Sequence, residues 1–262
     1  MTPIISSPYF TSKVAAYSQL PSSSDHHSQC EPDPNDVLTD DPLFCYYFRA
    51  FLRLYSQLVL LKPVMIQECV ADDPWKLLIA VTLLNKTAGK LAIPIFWKIL
   101  ATWATPWALS QANQRELAAT IRPLGTQNIR SKRLIALSRA YLRDPPKLPD
   151  LRPSKARSSS SPYIFQSRRY PPTHISHLPG TGPYALDSYR IFCTVHDEQS
   201  KEEWKAVMPT DKELIRYLKW KWALLERKEW VPGLGVVRPV TLAYLKTLIS
   251  DLRQEKRYKA DG

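Results

Sequence analysis

Residues 75–84, WKLLIAVTLL, are apolar almost all round a helical wheel, and an Asp73-Pro74 pair stands directly in front of them. An aspartate satisfies the free N–H groups of a helix start and proline fits its first turn, so the pair marks where this helix begins. A helix with no polar face must be covered on every side, which predicts a central element with others packed round it. The sequence that follows supplies them. After a break at Asn85-Lys86-Thr87 and Gly89, GKLAIPIFWKILATW places Leu91, Ile95, Phe96, Ile99 and Leu100 on one face, and NQRELAATI forms a short third helix. Beyond the RPLG turn at 122–125, NIRSKRLIALSRAYL sets Ile129, Leu134, Leu137 and Tyr141 in one stripe. No segment alternates with period two for long enough to make a strand, so the fold class is read as all-α.

Composition closes off other solutions. With 7 Gly against 23 Pro, glycine-rich nucleotide-binding architectures and long β meanders are disfavoured, as are collagen and coiled coil. Cys30, Cys45, Cys69 and Cys193 include no C-x-x-C pair, and His26, His27, His174, His177 and His196 show no metal-ligand spacing. Neither a disulfide framework nor a zinc site is predicted, and a reducing compartment fits. The formal charge of +12 points to a polyanionic partner. It is unevenly spread: residues 1–43 hold one lysine and six acids, a net of −5, which leaves +17 on the remainder.

Residues 1–43 mix Ser, Pro, Asp and Asn without apolar period and read as a disordered acidic tail, because little burial offsets the entropy of ordering them. Residues 44–62 form an amphipathic surface or docking helix; Arg49, Arg53 and Gln57 argue against a membrane span. The start, MTPIISSPYF, lacks a signal-peptide pattern, and a soluble intracellular chain is expected. Residues 144–172, rich in proline and serine, read as an exposed insertion whose Lys155, Arg157, Arg168 and Arg169 fit either of two roles, contact along a phosphate backbone or, more commonly for such segments, a solvated run. Residues 228–262 add a Pro/Gly joint, VPGLG, and a helix from about 241 to 256, with no role legible.

Two short helical patterns, THISHL and PYALDSYRIFC, flank Leu178-Pro179-Gly180-Thr181-Gly182. The glycines permit a tight turn with positive φ and Pro183 suits the first turn of the next helix, a helix-hairpin-helix signature. Such a hairpin presents the backbone N–H groups of Gly180, Thr181 and Gly182 to a phosphate. The pentapeptide alone equally fits a plain turn between two helices. Further on, Thr210-x-x-Glu213 reads as a capping box, with Asp211 in the first turn of a helix whose face carries Leu214, Leu218 and Trp222.

The stretches DPWKLLIAVTLLNKTAGKLAIPIFWKIL, IRPLGTQNIRSKRLI, GTGPYALDSYRIF and WKAVMPTDKELIRYLKWKW, in that order, resemble the thymine/uracil glycosylase domain of methyl-CpG-binding-domain protein four, in the endonuclease III-like helix-hairpin-helix superfamily. The resemblance covers residues 63–227, interrupted by the insertion. It implies a two-lobed fold with DNA between the lobes and hydrolysis of the N-glycosidic bond of thymine or uracil opposite guanine in nuclear base-excision repair. The implied partner is double-stranded DNA with a mispaired or damaged base, engaged by a monomer, away from any membrane. No cofactor or metal is implied, and the superfamily's iron–sulfur cysteines are absent here as in the family itself. Residues 1–62 are too few and too polar for a methyl-CpG-binding domain.

Breaking a base–sugar bond builds positive charge on the sugar, which calls for a carboxylate beside it. The family's Pro-x-Asp triplet falls on Pro209-Thr210-Asp211, making Asp211 the catalytic candidate; Asp187, in the second hairpin helix, reads as structural. Tyr184 stands where bifunctional relatives carry an attacking lysine, so water is the implied nucleophile and the tyrosine lines the base pocket. Gln67 matches a glutamine that reads the flipped pyrimidine, and Lys86 lies in the loop that fills the vacated stack, where the family has arginine. Thr126 takes the place of a leucine that probes the opposite base. Two alternatives stand beside this reading: a non-catalytic helix-hairpin-helix DNA-binding module, and a glycosylase for another damaged pyrimidine.

Overall fold

The computed structural model describes residues 40–155, 170–194 and 202–261. Most of the acidic tail and the centre of the insertion therefore lie outside the described residues. The chain forms two compact units, Met1–Tyr46 and Tyr47–Gly262. Among the described residues no helix is long and apolar enough to cross a membrane.

Helix α1 (Pro42–Leu60) is followed by the single turn α2 (Ile66–Cys69) and then by the central helix α3 (Pro74–Leu84). Asp73 is the N-cap of α3, its Oδ1 accepting from Trp75 N and Lys76 N at 3.0 and 3.1 Å. Leu77, Leu78, Ile79 and Leu83 are essentially inaccessible, as a helix without a polar face requires. Full burial of one such side chain contributes about 1.5–3 kcal/mol, so truncating Leu77 to alanine in this packing costs roughly 2–5 kcal/mol.

One lobe surrounds α3 with α4 (Gly89–Thr102), α5 (Pro106–Ser110), α6 (Gln114–Ile121) and α7 (Gln127–Arg143), and Trp75 Nε1 donates to Ser138 Oγ of α7 at 3.0 Å. The other comprises α2, α8 (Pro183–Phe192), α9 (Lys212–Lys221), a hairpin of β1 (Lys228–Val231) and β2 (Gly235–Pro239), and α10 (Leu242–Asp261). The β-hairpin departs from the all-helical reading. Its strands are too short to show alternation, and the VPGLG joint is the turn that pairs them antiparallel, with Trp230 fully buried.

Two helix faces and one segment differ from the periodicity reading. Leu91 and Ile129 are half exposed, whereas Arg130 is buried beside Leu134 and Leu137. The α7 stripe keeps Leu134 and Leu137 and takes in Arg130 instead of Ile129, and the arginine finds polar partners inside. Residues 174–177 form turns rather than a helix, with bonds from Ser176 N to Thr173 O and from Leu178 N to Ile175 O. The ends of the insertion are docked: Arg152 and Thr173 form a bridge, and Ser154 and Tyr170 are buried.

Candidate active site

The end of α3, the turn after it and the start of α4 form one wall of a cavity of about 1480 Å³. Gln67, Tyr184 and Asp211 line the same cavity, together with residues of α1 and α10. The volume exceeds the roughly 300–1,000 Å³ of ordinary small-molecule sites, which leaves room for an extruded nucleotide with part of its backbone.

Asp211 is the N-cap of α9, with φ −71° and ψ 132°. Its Oδ1 accepts from Glu213 N at 3.0 Å and Leu214 N at 3.1 Å. This corrects the capping-box reading: Asp211, not Thr210, satisfies the helix start, because its carboxylate reaches two free amides at once. The cap fixes the orientation of the carboxylate and sets it in the positive end of the helix dipole.

Gln67, only 1% exposed, donates from Nε2 to Tyr184 Oη at 2.9 Å. Burial, followed by the charge of Asp211, pushes the Tyr184 phenol well above its ordinary range. Tyr184 therefore stays a neutral hydroxyl at any working pH, able to accept from Gln67 and donate elsewhere.

Lys86 lines the same cavity at the tip of its turn, with φ +58°, a left-handed conformation uncommon for a residue with a side chain. What holds it is Arg130, a residue the sequence reading did not single out. The guanidinium donates to Leu83 O at 2.6 Å, Asn85 O at 3.1 Å, Thr87 Oγ1 at 2.6 Å and Thr126 Oγ1 at 3.0 Å. One buried side chain thus ties together the turn at 85–87 and the turn before α7. Thr126, itself left-handed at φ +49°, lies outside the cavity lining and joins the site only through this arginine.

The hairpin 178–182 is also outside the lining. Gly180 has φ +88°, but Gly182 is extended at φ −87° and ψ −178° and caps α8, so only the first glycine needs positive φ. A methyl group added at either would meet nothing within 4 Å, so the hairpin backbone is open on its outer side. Thr181 turns its hydroxyl inward, donating to Leu178 O at 2.7 Å. His177 ties the hairpin to the end of α7 through Nε2 and Asp144 O at 2.8 Å.

Asp187 is not among the residues that line the cavity. It accepts from the Tyr170 hydroxyl, and burial raises its carboxyl to about 6. The site also includes cations that the sequence did not mark: Lys90, Lys212, Lys246 and Arg253 line the cavity alongside Lys86. Lys90, Lys212 and the pair Lys246 and Arg253 come from α4, α9 and α10, and their meeting depends on tertiary packing that no local pattern encodes.

The described residues thus join, in one mostly helical chain, a Gly-rich hairpin open on its outer side and a helix-capping aspartate that lines the cavity. No family model matches the chain. A methyl-CpG-binding domain protein 4-like protein of Arabidopsis thaliana is 28% identical over 153 residues, 58% of this chain and 27% of that protein. A thymine/uracil-DNA glycosylase of Pyrobaculum aerophilum is 37% identical over 73 residues, 28% of this chain and 32% of that one. Among solved structures, a thermostable thymine-DNA glycosylase aligns with a TM-score of 0.39 at 18% identity, covering 56% of this chain and 61% of its own. Over part of its length the chain is similar to methyl-CpG-binding domain protein 4-like and thymine/uracil-DNA glycosylases, and it spans about a third or less of the length of the curated relatives it matches.

Proposed function

We propose that the chain is a monofunctional DNA glycosylase that removes thymine or uracil opposite guanine by hydrolysis, acting as a monomer on nuclear double-stranded DNA. The observation that supports this reading is the convergence of Asp211, Tyr184, Gln67 and Lys86 on one cavity, with Gln67 and Tyr184 already hydrogen-bonded. The names of the relatives agree with it.

In this reading the target nucleotide leaves the duplex and Lys86, presented on its braced turn, fills the gap. Gln67 offers an amide edge with donor and acceptor to the base, which matches the O2, N3–H and O4 pattern of thymine and uracil. As the glycosidic bond lengthens, the sugar gains positive charge and Asp211 stabilises it while orienting water toward C1′. Water adds to C1′, its proton passes to the Asp211 carboxylate, and the base departs as an anion that is protonated from solvent.

Tyr184 supports hydrolysis over lyase chemistry, since a phenol forms no imine. Lys86 is not the sole amine at the cavity; Lys90, Lys212 and Lys246 also line it. The test is incubation of the protein with G·T, G·U and fully matched duplexes followed by alkali. Cleavage of the T- or U-containing strand only after alkali supports the reading. Cleavage of matched duplexes, or none of any, refutes it.

A further inference from the structure

The C-terminal extension is a wall of the site. Helix α10 is anchored in the core by Leu245, Leu248, Ile249 and Leu252, all buried. The adjoining flank of the same helix faces the cavity through Lys246, Ile249, Ser250, Arg253 and Gln254. Those positions fall three, four, seven and eight residues after the first, one continuous stripe of a helix. The β-hairpin that precedes α10 is seated by Trp230, and Val240 N bonds to Arg227 O at 2.9 Å where β2 leads into the helix. Arg253 is steadied at the rim by donating to Gln57 of α1 at 2.8 Å.

Charge says what this flank faces. The lining holds five cations, Lys86, Lys90, Lys212, Lys246 and Arg253, against two acids, Asp211 and Glu213. Lys246 and Arg253 are both exposed, so neither is spent on the core. They lie seven residues apart, about 10 Å along the helix axis. Stacked nucleotides of one strand rise about 3.4 Å each, so this separation brackets roughly three of them.

We propose that α10 is a clamp on the damaged strand: Lys246 and Arg253 neutralise two phosphates of that strand, about three nucleotides apart, between which the extruded nucleotide lies, which makes the flank of α10 from Lys246 to Gln254 part of the substrate-binding surface. The inference rests on the glycosylase reading of the cavity. Ser250 and Gln254, between and beside the two cations, add uncharged donors to the same strand.

The test compares the full chain with its Lys246→Ala/Arg253→Ala variant, using a duplex that carries 2′-fluoroarabino-uridine opposite guanine, whose sugar resists glycosidic cleavage. Affinity is measured from about 0.05 to 0.3 M salt. Loss of two phosphate contacts lowers the magnitude of the slope of log K against log salt by about 1.8 and weakens binding tens-fold near 0.1 M. The single variants each lower it by about 0.9. Both positions are exposed, and matching circular dichroism and melting confirm that the fold is retained. A slope change under about 0.5, or tighter binding by the variant, overturns the clamp. Excision by the wild type of ordinary uracil opposite guanine is assayed alongside: if it is absent, the glycosylase reading falls, whereas an unchanged slope in a protein that excises uracil removes the clamp alone.

Discussion

Replacing Arg130 with methionine removes the brace beneath the turn that carries Lys86. Leu83 is fully buried, so its carbonyl finds no water when the guanidinium leaves, which costs about 1–3 kcal/mol. Asn85, Thr87 and Thr126 lie on exposed or half-exposed residues where water replaces the donor, and each loses roughly 0.5–1.5 kcal/mol. The sum is about 2.5–7.5 kcal/mol, a large share of the ~5–15 kcal/mol net stability of a domain. Lys86 and Thr126 both sit at positive φ, a strain of about 1–2 kcal/mol each that the brace holds in place. Once released, both turns relax and Lys86 is no longer held for the wedge role proposed for it. Urea unfolding measures the stability loss. Single-turnover excision, run where the variant remains folded, is expected to fall at least tenfold on a G·T duplex. It falls less than about threefold on uracil opposite an abasic gap, where the base is already unstacked. Equal losses on the two substrates would refute a wedge-positioning role, and Arg130→Lys, which lacks the planar fork, is expected to restore only a minor part of either quantity.

Tyr184→Phe strips the hydroxyl that Gln67 bonds, leaving a buried amide N–H unpaired; excision of uracil is expected to slow about tenfold or more, and an unchanged rate would show that Tyr184 does not organise Gln67. Asp187 has a carboxyl raised by burial to about 6, above its unfolded value, so the folded state binds the proton more tightly and the group is destabilising at neutral pH. As pH falls from about 7 to 4 that penalty is relieved, and the wild type is expected to gain roughly 2–3 kcal/mol relative to Asp187→Asn in urea unfolding; a difference independent of pH would contradict this. Borohydride added during turnover is expected to trap little protein–DNA adduct. Efficient trapping that disappears on replacing Lys86, Lys90, Lys212 or Lys246 by alanine would show an amine nucleophile instead of water.

The central helix was legible because Asp73-Pro74 and an apolar run with no polar face admit one arrangement, and the structure has it. Asp211 was legible as a residue but not as the cap, since Thr210 and Asp211 are both good caps and only the backbone at ψ 132° decides which side chain reaches the free amides. Arg130 was missed because an arginine in an amphipathic pattern reads as a solvated position. Its burial depends on carbonyl and hydroxyl acceptors more than forty residues earlier in the chain. The strands β1 and β2 are too short for a period to register. The α10 wall was illegible for a different reason: Gln57, Lys86, Asp211 and Arg253 share a cavity only through tertiary packing.

The central claim is that Asp211 carries the chemistry of base release, and the direct measurement is single-turnover excision of thymine and uracil opposite guanine by Asp211→Asn beside the wild type. The amide keeps the shape of the carboxylate and still accepts from Glu213 N and Leu214 N, so the helix start and duplex binding are retained. Loss of a charge-stabilising group of this kind lowers the rate by about two decades or more. A variant that binds the duplex as the wild type does and releases base at least a hundredfold more slowly agrees with the account; one that keeps more than about a tenth of the wild-type rate contradicts it.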